Sequence, residues 1–432
     1  MELKKKSEKI KKDQILNYTI RKTCRICESG DLKAFLEFGE MPLAGGFVKK
    51  EDLSKEKIYP LTVVFCQKCK ETQILETVSP EILFKDYRYV SSTTTTLSNH
   101  FERYAKTMYD RFLNKKSLVV EFGSNDGVLL EPFVKMGIKA IGVEPAQNIA
   151  KIARQKNCEV VNDFFNSKTA IFIKNKYGEA SLICANNVFA HIDDIHEPMK
   201  GIKLLLKADG VFVFEVHYLL DLLDQFQFDF IYHEHLMYHS LIAISYLLNN
   251  FDMEIFDVLR IPIHAGSIRV YAQNKKLGKH AVKPIVGDLF SLEKIKKTNQ
   301  LSTLMQFSED TIKKRNALIK LITDLKSKGK RIIGYGASGR ATVHINFCKF
   351  DSKIIEYVID ESHERQGRFI PGMQIPIVPP NYLTKDNPDY ALLFAYNYFD
   401  EVMEKEKDFI ERGGRFIVPL PEPKIIEPLE NI

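Results

Sequence analysis

The stretch VVEFGSNDGVLL, residues 119–130, carries the clearest structural pattern in this chain. An apolar run meets the acid Glu121 and then a small polar turn with Gly123 and Gly127, after which apolar residues recur at helical spacing. This order of strand, tight turn and helix is typical of the first unit of a nucleotide-binding α/β domain, because glycines let the backbone approach a ligand closely. For the stretch taken alone, a purely structural glycine turn is the alternative.

Strand and helix patterns alternate from this stretch onward. The strand-like runs cover residues 117–121, 140–144, 158–161, 181–185 and 210–216. Such alternation predicts a doubly wound α/β sheet, whose ligands lie at the carboxyl ends of the strands. The polar residues expected at those ends are Glu144 with Pro145, Asp163 with Phe164, Asn187 and His191. Glu144 is placed to accept from ribose hydroxyls, and Phe164 is placed to lie against an adenine.

Length and composition bound the remaining possibilities. A chain of 432 residues, 45% of them apolar, is too long for one core, so two or three well-packed domains are expected. The net charge is +6, and most of it lies in the lysine-rich residues 1–12, which no apolar segment follows as it would in a signal peptide. We therefore expect a basic flexible tail at residues 1–20, a cytoplasmic location, and neither nucleic-acid binding nor a membrane span.

Four of the seven cysteines form two CxxC pairs, Cys24 with Cys27 and Cys66 with Cys69. Each pair aims two thiolates at one tetrahedral ion, which predicts a zinc site in a small domain at residues 21–82. Four sulfur ligands leave no coordination position for a substrate, so the zinc is expected to be structural rather than catalytic. Redox or disulfide chemistry is the alternative.

A cluster of polar residues, Tyr232-His233-Glu234-His235, lies between apolar neighbours. Burying four such groups is costly unless they have a purpose, so the cluster is predicted to perform acid–base chemistry. Two other interpretations stay open, a surface turn and a metal site that uses His233 and His235. Further upstream, Tyr87 and Tyr89 precede a run of serines and threonines that would suit a polar lid over a site.

A second glycine turn opens the last part of the chain. Its GxGxxG pattern lies between a strand and a helix, and an acid ends the following strand. The residues concerned are Gly334, Gly336, Ser338, Gly339, Arg340 and Asp360. Taken alone the pattern is a dinucleotide fingerprint, but other phosphates received at a helix N-terminus fit it as well. It therefore predicts a diphosphate-bearing ligand and leaves an NAD-dependent nucleotide-sugar oxidoreductase as the main rival function.

The order of these motifs resembles that of the S-adenosylmethionine-dependent sugar C-methyltransferases. In that family a zinc-binding domain, a methyltransferase core and a Rossmann-like C-terminal domain follow one another. The resemblance is carried by both CxxC pairs and by residues 121–127, 232–235, 264–269 (HAGSIR), 334–339 and 413–419 (GGRFIVP). The three domains are then expected at residues 21–82, 83–285 and 286–432, the last with a connector helix.

The resemblance implies a role for each candidate residue. S-adenosylmethionine would be held by Glu121, Gly123, Ser124, Asn125, Asp126, Gly127, Glu144, Pro145, Asp163, Phe164 and Asn187. The catalytic groups would be His235 as the base, with Glu234, Tyr232, His191 and either Tyr87 or Tyr89. The nucleotide of a nucleotide-linked sugar would be bound by Gly334, Gly336, Ser338, Gly339, Arg340 and Asp360. The structural zinc would be held by Cys24, Cys27, Cys66 and Cys69.

The implied reaction moves a methyl group from S-adenosylmethionine to a ring carbon, C3 being favoured, next to the ketone of a nucleotide-linked 4-keto-deoxysugar. Because the methyl group is electrophilic, the enzyme has to create a carbon nucleophile, and a neutral imidazole suits the removal of a proton beside a ketone. Glu234 or Tyr232 would orient the imidazole or bond the sugar, and His191 or a tyrosine would stabilise the enolate. The step needs no metal, and a monomer is expected.

Overall fold

The structure is a computed structural model that describes residues 17–84, 91–93 and 95–426. Tyr87 and Tyr89, the two candidates for the active-site tyrosine, lie outside the described residues, as does most of the predicted tail. Within the described ranges, no helix combines the length and the apolar character that crossing a bilayer requires.

The described residues contain 19 β-strands and 14 α-helices. The strands are β1 Tyr18–Ile20, β2 Leu32–Pro42, β3 Ile58–Cys66, β4 Thr72–Ile74, β5 Glu76–Val78, β6 Leu118–Phe122, β7 Lys139–Val143, β8 Glu159–Val161, β9 Ala180–Asn186, β10 Leu206–His217, β11 Met237–Tyr238, β12 Met253–Ile261, β13 Ser267–Asn274, β14 Ile332–Tyr335, β15 Val358–Ile359, β16 Ile377–Val378, β17 Tyr390–Leu393, β18 Arg415–Val418 and β19 Lys424–Ile425. The helices are α1 Pro80–Phe84, α2 Thr95–Phe112, α3 Leu130–Lys135, α4 Gln147–Gln155, α5 Ser167–Tyr177, α6 His196–Leu205, α7 Leu219–Asp224, α8 Leu241–Asn249, α9 Pro284–Ile295, α10 Leu301–Ser327, α11 Gly339–Cys348, α12 Tyr382–Lys385, α13 Phe399–Lys405 and α14 Lys407–Glu411.

The middle of the chain folds into a seven-stranded sheet with the order β12-β13-β10-β9-β6-β7-β8. The five strands from β10 to β8 are parallel, and β13 and β12 add an antiparallel hairpin at one edge. Parallel neighbours need crossover connections, which place helices on the faces of the sheet. The predicted doubly wound α/β fold is confirmed, and a strand is present at each of the five predicted positions.

The apolar run at the start of β6 serves two cores at once. Val120 and Phe122 lie in one apolar cluster, whereas Val119 lies in a second cluster together with Leu182 and Val213. Successive side chains of a strand point to opposite faces, so a strand buried on both faces reads as a continuous apolar run. This is why the sequence before Glu121 shows no polar alternation.

The C-terminal residues form a second Rossmann-like sheet with the order β16-β15-β14-β17-β18-β19. Its first five strands are parallel and β19 is antiparallel. Helix α11 begins at Gly339, four residues after β14 ends, with Ser338 capping it by accepting from Ala341 N at 3.3 Å. The helices α9 and α10 connect the two large sheets, where the sequence predicts a helical connector.

The N-terminal domain is a four-stranded antiparallel sheet with the order β11-β4-β3-β2. Its edge strand β11 comes from the middle of the chain, directly after the polar cluster at residues 232–235, and pairs Met237 with Gln73 and Tyr238 with Thr72. One apolar cluster then runs without a break from Ile26 in this domain to Phe347 in α11. The rings of Phe38 and Phe347 lie 4.8 Å apart. The three domains therefore share a core.

The predicted tail is wrong at its last three residues. Tyr18–Ile20 form a strand that pairs with Glu76–Val78 of the zinc-binding domain. The ring of Tyr18 packs edge-on against the ring of Tyr59, with centroids 5.6 Å apart, so burial of an aromatic side chain orders this segment.

The four CxxC cysteines converge on one point. Their sulfur atoms all lie within 4.8 Å of one another, and none of the four residues, Cys24, Cys27, Cys66 and Cys69, forms a disulfide. No other group of His, Cys, Asp and Glu in the described part of the chain is arranged to hold a metal ion. Four converging thiols fit the sulfur donor set of structural zinc. Zinc as the bound ion stays a prediction.

Loss of zinc is expected to unfold the N-terminal domain, because metal binding contributes on the order of 10 kcal/mol to the folding of small zinc domains. Cys66→Ser should abolish binding of one equivalent of zinc, measured by elemental analysis. It should also lower the midpoint temperature of the first unfolding transition, measured by calorimetry. Cys158→Ser, which alters a buried thiol outside this group, is the matched control and should keep the metal. Retention of zinc and of the melting curve by Cys66→Ser would contradict the assignment.

Candidate active site

The glycines of the first turn are required by the backbone and by close packing. Gly123 has φ +64° and Gly127 has φ +79°, a region that favours glycine. A Cβ on Gly123 would lie 2.6 Å from a methyl group of Val188, and a Cβ on Gly127 would lie 3.0 Å from the sulfur of Cys158. The turn at the end of β6 therefore tolerates no larger residue at either position.

Glu144, which follows β7, hydrogen-bonds both the first glycine turn and the loop after β7. Its Oε2 accepts from Asn125 N at 3.0 Å, and its Oε1 accepts from Ala146 N at 2.9 Å. Burial raises the pKa of this carboxyl despite the two amide donors. Each carboxylate oxygen has a second lone pair, so the predicted ribose contact stays compatible with these bonds and stays a prediction.

Four buried polar atoms around the first turn have no hydrogen-bond partner among the described residues. They are Glu121 Oε2, Ser124 Oγ, Asp126 Oδ1 and Asn186 Oδ1. Nearly all buried polar groups are hydrogen-bonded, so a concentration of such atoms indicates the place of a polar ligand or of water. Burial also raises the pKa of Glu121 well above its usual value. These oxygen atoms, most of them hydrogen-bond acceptors, therefore fit a polar ligand at the carboxyl end of β6.

The loop after β8 presents the predicted aromatic surface. The side chain of Phe164 is 49% exposed, and its backbone N–H donates to Asp163 Oδ1 at 2.7 Å. The side chain of Asn162 donates to the carbonyl oxygens of Glu144 and Pro145, at 2.7 and 3.0 Å, which joins this loop to the tip of β7. An exposed ring at this edge is available for stacking, and its contact with an adenine stays a prediction.

His235 is held by a backbone carbonyl. Its Nδ1 lies 2.8 Å from the carbonyl oxygen of Phe230, and because a carbonyl only accepts, Nδ1 must carry the proton. Nε2 then has a free lone pair and no partner among the described residues. The ring contacts the rings of both Phe230 and Tyr232, at centroid distances of 4.5 and 4.0 Å. Burial lowers the pKa of His235 well below its usual value, and nearby His191 lowers it further.

His191 lies beside His235 on a short 3₁₀ turn, Phe189–His191. The two imidazole rings meet edge-on with centroids 5.0 Å apart, and burial lowers the pKa of His191 to about 4. Ala190 accepts from Leu236 N at 2.8 Å, so the two histidine-bearing segments are bonded through their backbones. Asn187, at the end of β9, has φ +54° and donates its N–H to Glu215 O at 2.8 Å.

The neighbours of His235 face the N-terminal domain instead of the imidazole. His233 Nε2 lies 3.0 Å from Pro60 O, and burial lowers the pKa of His233 to about 4. Burial raises the pKa of Glu234 to about 7, against a backbone hydrogen bond with Gly45 that lowers it. A Cβ on Gly45 would lie 2.8 Å from Glu234 Oε1.

Two interpretations of the cluster at residues 232–235 are therefore wrong, and a third is corrected in part. His233 and His235 are buried, which excludes a surface turn. Their ring nitrogens bond different carbonyl oxygens, so they do not form a shared metal site. The proton on Nδ1 is held by the Phe230 carbonyl and not by Glu234, while the Tyr232 ring packs against the imidazole, and a contact of Glu234 or Tyr232 with the sugar stays a prediction. A backbone carbonyl carries no signature in a sequence, which explains the error.

The first CxxC turn reaches the candidate active site through Arg25, which lies between Cys24 and Cys27 in the sequence and is 1% exposed. Its Nε donates to Asp193 Oδ1 at 3.0 Å and its Nη2 to Thr77 Oγ1 at 2.7 Å. Asp193 follows His191 by two residues. On the other side, Ile74 N donates to Leu236 O at 3.0 Å, next to His235. The zinc-binding domain therefore supports both histidine segments.

The second glycine turn lies against the same cluster. A Cβ on Gly339 would lie 3.7 Å from the Tyr232 ring and 3.4 Å from Ala44, which are ordinary contact distances, so Gly339 is close to both residues without packing alone requiring glycine. Gly336 has φ +89°, as a tight turn requires. Gly334 is part of β14, and a Cβ there would lie 2.8 Å from the Phe394 ring, so this glycine serves packing. The start of α11 thus lies next to Tyr232.

The two charged candidates of this turn already have protein partners. Asp360 accepts from Ala337 N at 2.7 Å and from Ser362 N at 2.8 Å. Arg340 is buried, and its guanidinium donates to both carboxylate oxygens of Asp229, at 2.9 and 3.1 Å. A phosphate contact by Arg340 stays a prediction, and it would have to coexist with this ion pair.

The sequence interpretation missed several residues of the site, namely Arg25, Gly45, Asp229, Phe230 and His264. His264 has a left-handed backbone (φ 55°), burial lowers its pKa to about 4, and its charge would lower the pKa of His235. A histidine inside the quoted block at residues 264–269 was a usable signal. The others act through partners more than a hundred residues away, or through a backbone atom, and no local pattern marks them.

Three protein-family models match consecutive parts of the chain. A zinc binding domain matches residues 24–84, a methyltransferase domain matches residues 97–258, and a C-methyltransferase C-terminal domain matches residues 262–421. The chain is 36% identical over 405 residues to the C-methyltransferase NovU of Streptomyces niveus, which covers 93% of this chain and 96% of that protein.

Solved structures resemble less of the chain. A S-adenosylmethionine-dependent methyltransferase from Clostridium acetobutylicum is 14% identical and covers 44% of this chain and 94% of its own, with a TM-score of 0.34. Magnesium protoporphyrin IX methyltransferase from Synechocystis is 12% identical and covers 40% and 78%, with a TM-score of 0.31. Scores this low carry no conclusion. On the sequence matches, the chain belongs to the family of C-methyltransferases that combine a zinc-binding, a methyltransferase and a C-terminal domain.

Proposed function

We propose that the chain transfers a methyl group from S-adenosylmethionine to a ring carbon, C3, next to the ketone of a nucleotide-linked 4-keto-deoxysugar. The observation that carries the proposal is the state of His235. Its Nδ1 proton is fixed by the Phe230 carbonyl, its Nε2 is left without a described partner, and burial keeps the imidazole neutral. A buried neutral imidazole with one free lone pair is suited to general-base chemistry.

The methyl donor would lie at the first glycine turn. S-adenosylmethionine, when bound, supplies an electrophilic methyl group. The unpartnered polar atoms of Glu121, Ser124 and Asp126 would bind polar parts of the donor, and Phe164 would cover its adenine. These groups lie at the carboxyl ends of β6 and β8, the edge where doubly wound sheets bind ligands.

The base would act on the sugar. His235 Nε2 takes the proton from the carbon beside the ketone, and the C–H electron pair moves into an enolate. That carbon then forms a bond to the methyl group as the methyl–sulfur bond breaks, with the sulfur keeping the electron pair. His191 and Tyr232 lie next to His235 and would donate hydrogen bonds to the enolate oxygen or to sugar hydroxyls. Burial lowers the pKa of His191 to about 4, so this imidazole is neutral and has one N–H to donate.

The sugar nucleotide would reach His235 from the second glycine turn. Gly339 lies against the ring of Tyr232, so a nucleotide at the N-terminus of α11 would place its sugar near residues 232–235. The rival NAD-dependent function finds less support. Asp360, the acid that would bind the ribose of NAD, already accepts hydrogen bonds from two backbone amides, Ala337 N in the glycine turn and Ser362 N in the loop that follows Asp360.

His235→Ala is expected to stop the uptake of deuterium from solvent at the carbon beside the ketone, because it removes the general base. The loss should be on the order of 10²–10⁴-fold. Proton NMR of a 4-keto sugar nucleotide in D₂O measures the exchange, and calorimetry should show unchanged affinity for S-adenosylmethionine. His363→Gln, at an exposed histidine of the C-terminal domain, is the control and should exchange normally. Wild-type exchange in His235→Ala would refute the base assignment.

The pH dependence of the same exchange should separate two groups. Because burial holds the pKa of His235 well below 6.5, the rate should be lost only as the pH falls through that low pKa, below the range where an ordinary histidine is protonated. Glu234, with a pKa of about 7, is protonated below pH 7 and able to donate to the sugar. The rate should therefore decline as the pH rises through about 7.

Glu234→Gln keeps a donor at every pH and should remove that decline while leaving the acid limb in place. A wild-type acid limb centred near pH 6.5, the value of an unperturbed histidine, would contradict the buried neutral base. Persistence of the decline near pH 7 in Glu234→Gln would assign it to another group.

A further inference from the structure

The partner that orients His235 is a backbone atom on a short turn. Phe228–Phe230 form a single 3₁₀ turn, and the carbonyl of Phe230 accepts the Nδ1 proton of His235 at 2.8 Å. The ring of Phe230 also stacks on His217 at 3.9 Å and on His235 at 4.5 Å. Whatever fixes this turn therefore fixes both the tautomer and the plane of the imidazole.

The turn is fixed by the C-terminal domain through Asp229, whose side chain is fully buried. Arg340 donates to both oxygens of the carboxylate, at 2.9 and 3.1 Å. His344 Nε2 lies 3.1 Å from Oδ2, and the hydroxyl of Tyr396 lies 3.0 Å from each oxygen. All three partners belong to the second Rossmann-like unit, whereas Asp229 belongs to the polypeptide that leads to His235.

The charge on Asp229 is secured by these partners. Burial alone would raise the pKa of this carboxyl, but Arg340 and His344 outweigh burial and hold the pKa below its usual value. A buried, bidentate ion pair loses its compensation when either partner is removed, so the pair resists displacement of the turn. Arg340 also lies 4.3 Å from the Tyr396 ring, which leaves little of the guanidinium for another partner.

We infer that Asp229 and Arg340 are positioning residues for His235. The C-terminal domain binds the Asp229 carboxylate and thereby fixes the position of the adjacent Phe230 carbonyl, which accepts the proton on His235 Nδ1. Because Nδ1 keeps this proton, Nε2 is the basic nitrogen that faces the substrate. The base is therefore competent only while the C-terminal domain is docked on the residue 228–230 turn. This inference rests on the proposed function, since it assumes that His235 takes the substrate proton.

A different role for Arg340 gives a different kinetic result. If Arg340 acted by binding the diphosphate, its replacement would raise KM for the sugar nucleotide and leave the tautomer of His235 unchanged. As a positioning residue it acts on kcat, because it alters the base and not the binding of the nucleotide. The tautomer is a readout that a purely structural role for the ion pair would not move.

The test uses the full chain with ¹⁵N-labelled histidine. Asp229→Asn keeps the shape of the side chain and removes the charge that holds Arg340. We expect a loss of kcat and of deuterium exchange of roughly 10- to 100-fold, the range for groups that orient another active residue. KM should change less than threefold, and ¹⁵N shifts should show mixed tautomers of His235. Asp257→Asn, at another buried carboxylate paired with Arg111 and Lys283, is the matched control and should change none of these.

Tyr396→Phe keeps the test open if Asp229→Asn does not fold. It removes one donor to Asp229, retains the ring under Arg340, and should give a smaller loss of kcat with the same shift of tautomer. Unchanged kcat and tautomer in these variants, or a change confined to KM, would overturn the inference while leaving the base assignment intact. Normal exchange in His235→Ala would instead overturn the proposed function, so the two failures are distinguishable.

Discussion

The arrangement of the domains around the candidate site follows from the burial of residues 232–238, whose backbone and polar side chains need hydrogen-bond partners. A buried polar group without a hydrogen bond costs free energy comparable to the bond it lacks, and much of this segment is bonded to partners elsewhere in the chain. The N-terminal domain supplies Pro60 O for His233 and Ile74 N for the carbonyl of Leu236. The middle domain supplies Ala190 O for Leu236 N and the Phe230 carbonyl for His235. The site is thus assembled where the domains meet, and the shared apolar core keeps them together.

The sequence was most informative where a local pattern within one segment determines the structure of that segment. The apolar runs and glycine turns predicted the doubly wound sheet, and the paired CxxC motifs predicted the converging sulfurs. The partners of the site escaped prediction because they are distant in sequence. Arg340 and Asp229 are 111 residues apart, and Arg25 and Asp193 are 168 residues apart. No periodicity relates such residues, and a carbonyl such as that of Phe230 has no identity in a sequence at all.

Burial separates the titratable groups of the site into two kinds. The histidines have few opposite charges near them, so burial dominates and lowers the pKa of His217 to about 3 and that of His264 to about 4. Asp229 has Arg340 against both oxygens, so the ion pair dominates and the carboxylate stays charged. At neutral pH the buried imidazole of His235 is uncharged, and an uncharged imidazole is the form that accepts a proton.

The central claim is that the methyl group is transferred to carbon beside a ketone. Incubation with S-adenosylmethionine labelled with ¹³C in its methyl group and a nucleotide-linked 4-keto-deoxysugar, followed by two-dimensional carbon–proton NMR of the product, tests it most directly. The account predicts a labelled methyl group bonded to the ring carbon next to the ketone. A label on an oxygen or nitrogen atom, or a label that stays on S-adenosylmethionine while the enzyme and sugar nucleotide are both present, would contradict it.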